Sequence, residues 1–224
     1  MMKTKIPMYI AVRLERGYGD TERGVWLQLP ATKKEFEAAQ QAIGADYYDF
    51  AITCYNVRVP GLNREMLLSA PLGRVNFLAS RLAALDGGVL TTLAAHIHSA
   101  RYFTELEQFI DYTYNHHRYT FLPGVTDAVA LGRIMVESEA FAAVPREIKV
   151  CIDKNMLGLN TAMMEDGQFT ALGYLTSDDG WCAVPKKRSV PKSLNLTGII
   201  GEDLYGEWED EESYIFEMED DGDE

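Results

Sequence analysis

The chain has 224 residues, 47% of them apolar and 25% charged, an ordinary globular composition with room for two or three small domains. Its formal charge of −13 argues against a nucleic-acid binder, because such proteins neutralise phosphates with an excess of Lys and Arg. Three widely spaced cysteines, Cys54, Cys151 and Cys182, form no CxxC pair, so they suggest neither a disulfide framework nor a zinc ribbon and fit reduced thiols in a cytoplasm.

At the N-terminus the apolar run is short and is interrupted by Pro7 and Arg13, unlike a signal segment, and no stretch approaches the length needed to span a bilayer. A cytoplasmic protein with no membrane partner is expected. Met8 to Leu14 and Gly24 to Leu29 read as short strands around a turn at Gly17 to Asp20. Thr32 and Glu35 form a capping box for a helix carrying Phe36, Ala39 and Ile43, and Gly44 supplies its stop. Asp49 to Val57 reads as a further strand, closed by Pro60-Gly61.

Leu72, Val75, Leu78, Ala79, Leu82 and Leu85 recur at helical spacing until Asp86-Gly87-Gly88 breaks the run. A second helix is expected over Val89 to Ile97. A third opens at Thr104 and Glu107, read as another capping box, and carries Phe103, Leu106, Phe109 and Ile110. Pro123-Gly124 marks the next boundary, after which Thr126 is expected to cap a helix through Leu131 and Val136. Pro145 starts a short helix near Ile148. Leu159 to Met164 and Gln168 to Leu175 flank Glu165-Asp166-Gly167, which reads as a hairpin. In the last stretch Tyr214, Phe216 and Met218 alternate with their neighbours as one strand on an acidic background, with Tyr205 and Trp208 as anchors. No repeat at a fixed period occurs.

The fold class expected is α+β, an elongated chain of three small domains with an acidic tail: an N-terminal α+β domain at 1–60, a central helical domain at 61–122, a C-terminal α+β domain at 123–200, and a partly ordered tail at 201–224.

Catalytic motifs are missing. There is no GxSxG elbow, no P-loop, no GxGxxG after a strand and no HExxH. His96, His98, His116 and His117 could converge on zinc, but adjacent histidines point to different sides of a helix and no Cys or acid completes a ligand set, so helix-end or solvent-facing histidines are the alternative. Glu165-Asp166 and Asp178-Asp179 pair carboxylates, yet such pairs also serve as turn residues. Lys186-Lys187-Arg188 is one short basic patch, read as a solvated loop or as a counter-charge to the tail. No catalytic residue, metal or cofactor is assigned, and the chain is not expected to be an enzyme.

Charge is unevenly placed. Gly201 to Glu224 holds 13 acids and no Lys or Arg, so residues 1–200 carry 21 acids against 21 bases. Within that neutral body, residues 123–182 hold nine acids, Asp127, Glu137, Glu139, Glu147, Asp153, Glu165, Asp166, Asp178 and Asp179, against four bases. Terminal acid runs are commonly solvating appendages, whereas the interleaved aromatics favour a tail that docks.

Four stretches together are similar to the ArdA antirestriction family of mobile elements: Gly24 to Pro30 (GVWLQLP), Leu72 to Asp86 (LGRVNFLASRLAALD), Ile110 to Glu137 (IDYTYNHHRYTFLPGVTDAVALGRIMVE) and Val144 to Leu175 (VPREIKVCIDKNMLGLNTAMMEDGQFTALGYL). The resemblance implies a homodimer joined through the C-terminal domain, with an acidic surface laid out like the phosphates of a bent duplex. Such a surface would occupy the DNA groove of type I restriction-modification enzymes without binding nucleic acid itself. Duplex DNA carries about one charge per 1.7 Å of axis, so carboxylates at comparable spacing meet the same Lys and Arg side chains. Two departures stand out. The chain carries Leu159-Asn160 where the family's antirestriction stretch usually has Arg-Asp, and its body is formally neutral.

The acids assigned to this surface are the nine of residues 123–182 together with Glu202, Asp203, Glu207, Glu209, Asp210, Glu211 and Glu212 of the tail. The partner expected is a restriction-modification or other DNA-acting defence enzyme. The alternative is an inhibitor of another defence system, such as a CRISPR effector, acting through a shaped protein surface without mimicry. An enzyme on an unrecognised scaffold is a third reading, which would require a deep pocket lined by perturbed acids or histidines.

Overall fold

β1 (Ile10–Arg16) lies between β2 (Val25–Leu29) and β3 (Phe50–Val57), antiparallel to both. A computed structural model describes residues 10–17, 24–45, 49–99, 103–177 and 188–197. The register pairs Val12 with Leu27 and Tyr55, and Ile10 with Leu29. Because side chains alternate across a sheet, these apolar residues share one face, and all five are buried. That face receives α1 (Lys33–Ala42) through Phe36 and Ile43.

α1 shows how local sequence sets an element. The Thr32 hydroxyl accepts from the Glu35 N–H, and the Glu35 carboxylate accepts from the Thr32 N–H at 2.7 Å, as the capping box requires. The Thr32 N–H, and after it the Thr32 hydroxyl, both donating to the Glu35 carboxylate, hold that carboxyl below its ordinary range. At the other end Gly44 has φ +67°, and the Ala45 N–H reaches back to the Gln40 carbonyl, a Schellman stop that a side chain would strain.

Four helices follow, α2 (Arg64–Leu68), α3 (Leu72–Ala84), α4 (Gly87–His98) and α5 (Leu106–Asn115). α3 is the central one, buried from Leu72 through Ala79 and again at Leu82. One cluster of buried side chains runs from Ile10 to Tyr112, across Pro60-Gly61, and takes in Val190 and Leu196 from the end of the described chain. Residues 188–197 thus lie back over the first half of the fold. The fully buried Asn76 holds them there, donating to the Leu194 carbonyl, and the Arg74 guanidinium donates to the Arg188 carbonyl.

After a 3-10 turn at His116–Arg118, β4 (Tyr119–Pro123) pairs with β6 (Gly173–Ser177), which pairs in turn with β5 (Gln168–Phe169), all antiparallel. Between β4 and β5 the chain forms α6 (Ala128–Glu137), α7 (Arg146–Cys151) and α8 (Lys154–Met164), of which α6 and α8 pack together and join this sheet through Leu131, Ala162 and Tyr174. Its core is small and separate, built on Val125, Leu131, Ala162 and Tyr174. The class is α+β, as the sequence implies.

Several local expectations are corrected. Leu159 to Met164 belongs to α8, so Glu165-Asp166-Gly167 ends a helix: Asp166 takes φ 46° and the Gly167 N–H bonds the Ala162 carbonyl. An acid-acid-Gly triplet satisfies a helix stop as well as a hairpin, and the hairpin itself comes later, between β5 and β6. Asp86 does more than break a helix, for its carboxylate caps α4 through the Val89 N–H. The box at α5 is one residue later than expected, with the Gln108 amide oxygen accepting from the N–H groups of Thr104 and Glu105. Asp127, not Thr126, caps α6. α2 and β4 were not foreseen. The strand expected within residues 213–218 lies outside the described residues.

Candidate functional site

Of the acids singled out between residues 123 and 182, Asp127, Glu137, Asp153, Glu165 and Asp166 lie on or at the ends of α6 and α8, Glu139 opens a 3-10 turn after α6, and Glu147 is on α7. Asp127 caps α6, accepting the Ala130 N–H at 2.8 Å, and Asp153 caps α8 through the N–H groups of Asn155 and Met156 at 2.9 and 3.1 Å. Carboxylates suit these positions because the first turn of a helix presents unpaired N–H groups and a positive dipole end. Glycine lets the two backbones touch. A Cβ on Gly132 would run into the Lys154 carbonyl, and one on Gly158 into the Ala128 carbonyl. Ala128 therefore faces Gly158 while Gly132 faces Lys154, so the helices run antiparallel.

Asp127, Glu137, Glu139, Glu147, Asp153, Glu165 and Asp166 are all exposed. The first six have no ion-pair partner among the described residues. In the first half Glu15 pairs with Arg13 at 2.7 Å, Asp49 with Arg16 at 3.3 Å, Glu107 with Arg74, and Asp111 with Arg188 at 3.9 Å, whereas Glu35, Glu37, Glu65 and Glu105 are exposed and have no ion pair among the described residues. Over residues 123–177 there are seven acids and four bases, Arg133, Arg146, Lys149 and Lys154. One of those bases is engaged by the backbone, since Lys154 Nζ donates to the Lys149 and Val150 carbonyls at 3.0 Å each. Asp178, Asp179, Glu202, Asp203, Glu207, Glu209, Asp210, Glu211 and Glu212 lie outside the described residues.

Distribution around each helix follows from 100° per residue. On α6, Asp127 and Glu137 fall on the side away from Gly132, hence away from α8. On α8 the side away from Gly158 carries, beside Asp153 and Asn160, an exposed apolar stripe. Met156, Leu159 and Met163 lie roughly 100° to 160° around the helix from Gly158, and they are 52%, 41% and 81% exposed. Sequence reasoning missed this stripe because it took Leu159 to Met164 for a strand; at helical spacing the pattern is visible.

The other candidates fall elsewhere. His96 is buried beside Phe103, Tyr112 and Tyr119, with ring centroids 5.0, 5.9 and 4.6 Å away. His116 and His117 occupy the 3-10 turn, their rings 6.1 Å apart and nearly perpendicular, and His116 Nδ1 lies 3.2 Å from the Thr113 carbonyl oxygen. Among the described residues no three His, Cys, Asp or Glu side chains gather to hold a metal, and no helix is long and apolar enough to cross a membrane. Arg188 is folded inward: its guanidinium lies 4.2 Å above the Tyr114 ring, which Arg81 approaches at 3.9 Å. Of the Glu165-Asp166 pair, Glu165 accepts from the Tyr174 hydroxyl at 2.8 Å and Asp166 makes the turn.

A family model described as Antirestriction protein (ArdA) matches residues 20–176. The chain matches no curated protein.

Proposed function

The chain belongs to the ArdA family of antirestriction proteins, and on that premise we propose that it blocks type I restriction-modification enzymes, without catalysis, by presenting a surface that stands in for duplex DNA. The observation that carries this reading is the local excess of acids over bases at residues 123–177, seven against four, with Asp127, Glu137, Glu139, Glu147, Asp153 and Glu165 exposed and without an ion pair among the described residues. A carboxylate with no counter-cation among the described residues keeps its field for an incoming cation. Asp178, Asp179 and the seven tail acids from Glu202 to Glu212 belong to the same proposed surface.

Spacing sets what this face can do alone. In the antiparallel pair, Glu165, Asp127, Asp153 and Glu137 succeed one another along an axis of roughly 24 Å at 1.5 Å per residue, about one carboxylate per 6 to 8 Å. Duplex DNA presents about one charge per 1.7 Å, so one copy of the helix pair offers roughly a quarter of that density. Additional charge is needed to match it, and the 13 acids of Gly201 to Glu224 are the supply within the chain.

The outer stripe of α8 is assigned to pairing with a second copy. Contiguous apolar patches of this kind are uncommon on monomers, and a two-fold contact buries the same residues from both partners. Met163→Asp is expected to give a monomer by sedimentation while the fold persists.

Competition tests the function itself. A duplex held by a type I restriction-modification enzyme should be displaced by this chain whatever the duplex sequence, because phosphate contacts carry no sequence information. A ternary complex of enzyme, duplex and chain would refute the mimicry and favour a shaped inhibitory surface.

A further inference from the structure

Between the β4–β6 sheet and the ends of α6 and α8 there is an open cleft of about 520 Å³. Its walls include Leu122, Leu131 and Met135, and its lip carries Glu165 and Asp166, both exposed. Tyr174, 1% exposed, forms part of the floor and donates its hydroxyl to Glu165 Oε2 at 2.8 Å. Burial, followed by the Glu165 carboxylate, pushes the Tyr174 phenol up, so it stays a neutral donor in ordinary buffers. The bond orients the Glu165 carboxylate through one lone pair of Oε2 and leaves Oε1 and the second lone pair of Oε2 for a ligand.

We infer that this cleft is a receptor for one arginine side chain of the target enzyme. An arginine has an apolar stem and a charged planar head, and the cleft has apolar walls under an acidic lip. A guanidinium offers parallel N–H donors that a carboxylate accepts two at a time, which a lysine ammonium does not. The volume lies within the range of ordinary ligand sites. A surface that takes the place of DNA meets the arginines that hold phosphate, so the assignment rests on the mimicry reading. It adds a socket to that reading: one arginine is held in depth, where the remaining contacts are made across an open face.

The test uses the full chain, isotopically labelled, titrated with N-acetyl-arginine methylamide and with the neutral citrulline analogue. The arginine compound should give saturable shifts at Tyr174, Thr176 and Leu122 in roughly the millimolar range, and the citrulline compound should not. E165Q combined with D166N should weaken binding about tenfold, because charge-assisted bonds are lost while the new amide oxygen still accepts from Tyr174. Thr176→Arg, which supplies a guanidinium at the lip, should block the probe as a second variant should the first not fold. The same variants are then tested for displacement of duplex from the restriction-modification enzyme. Absence of shifts in the cleft, or equal binding of citrulline, overturns the socket. So does unchanged displacement by variants that have lost the probe. Probe binding in a chain that displaces no duplex overturns the mimicry and leaves the cleft a guanidinium site.

Discussion

The side chain of Asn76 closes on the backbone of Ala31 from both sides, its Oδ1 accepting the Ala31 N–H at 2.8 Å and its Nδ2 donating to the Ala31 carbonyl at 3.0 Å. The same Nδ2 also donates to the Leu194 carbonyl at 3.0 Å. Asn76 thereby joins the entry to α1, the central helix and the returning segment at one fully buried point. Asn76→Ala leaves these backbone groups without their partner, each costing about 1 to 3 kcal/mol when buried. A loss of several kcal/mol is expected in urea unfolding, read as a lower midpoint with the slope preserved. Asn76→Asp should be no better, since it keeps the acceptor, loses both donations and buries a charge.

Gly158 and Gly132 set a second stability prediction with a sign that helix propensity alone gets wrong. Replacing helical Gly by Ala ordinarily stabilises by roughly 0.5 to 1 kcal/mol. Here the new methyl meets a backbone carbonyl of the opposing helix, which cannot move aside as a side chain would. Gly158→Ala should therefore destabilise the C-terminal unit, by about 1 to 3 kcal/mol as overpacking typically does. Amide exchange would speed up across α6 and α8 while the protection of α3 stays unchanged. Uniform acceleration through both cores would count against a separate second core.

Much of the first half was legible because its signals are local and redundant. Thr32 with Glu35, the period of Phe36, Ala39 and Ile43, and Gly44 agree with one another, and α1 follows as expected. Elsewhere the reading was harder because single residues carry two meanings. Asp86-Gly87-Gly88 breaks α3 and also begins α4, and Glu165-Asp166-Gly167 fits a hairpin and a Schellman stop alike. Contacts far apart in sequence were illegible by nature. Nothing near Leu194 announces that its carbonyl will be held by Asn76, or that β4 will pair with β6. As for the acidic face, the residues were visible in sequence, but their lack of ion pairs was not, since that depends on where four bases come to rest.

Asp127 and Asp153 allow charge to be separated from structure. Each carboxylate caps a helix through one oxygen, a task that Asn performs about as well as Asp. Asp127→Asn with Asp153→Asn should leave the thermal midpoint nearly unchanged, whereas Ala at either site costs about 1 kcal/mol. In the Asn pair, inhibition of the restriction-modification enzyme should weaken, and the slope of log affinity against log salt should become shallower by roughly one to two units. An unchanged slope would mean that these two charges meet no cation of the target.

The tail carries the largest electrostatic prediction. Truncation after Ile200 takes the formal charge from −13 to zero and removes none of the residues that build the two described cores. The body should therefore fold as before, with the same urea midpoint and slope. At roughly a quarter of the charge density of DNA, the α6 and α8 face alone steers an encounter weakly, because on-rate depends on the summed field and not on one patch. The association rate with the target should fall by one or more orders of magnitude at low salt, and the difference should shrink at about 1 M salt, where screening acts within about 3 Å. Dissociation should change less if Glu165, Asp166 and the neighbouring acids make the close contacts. Charge reversal at those two positions in the full chain is then expected to raise the dissociation rate while leaving association nearly as fast. Equal association rates for the full and truncated chains at low salt would reduce Gly201 to Glu224 to a solvating appendage and place the working charge on the body.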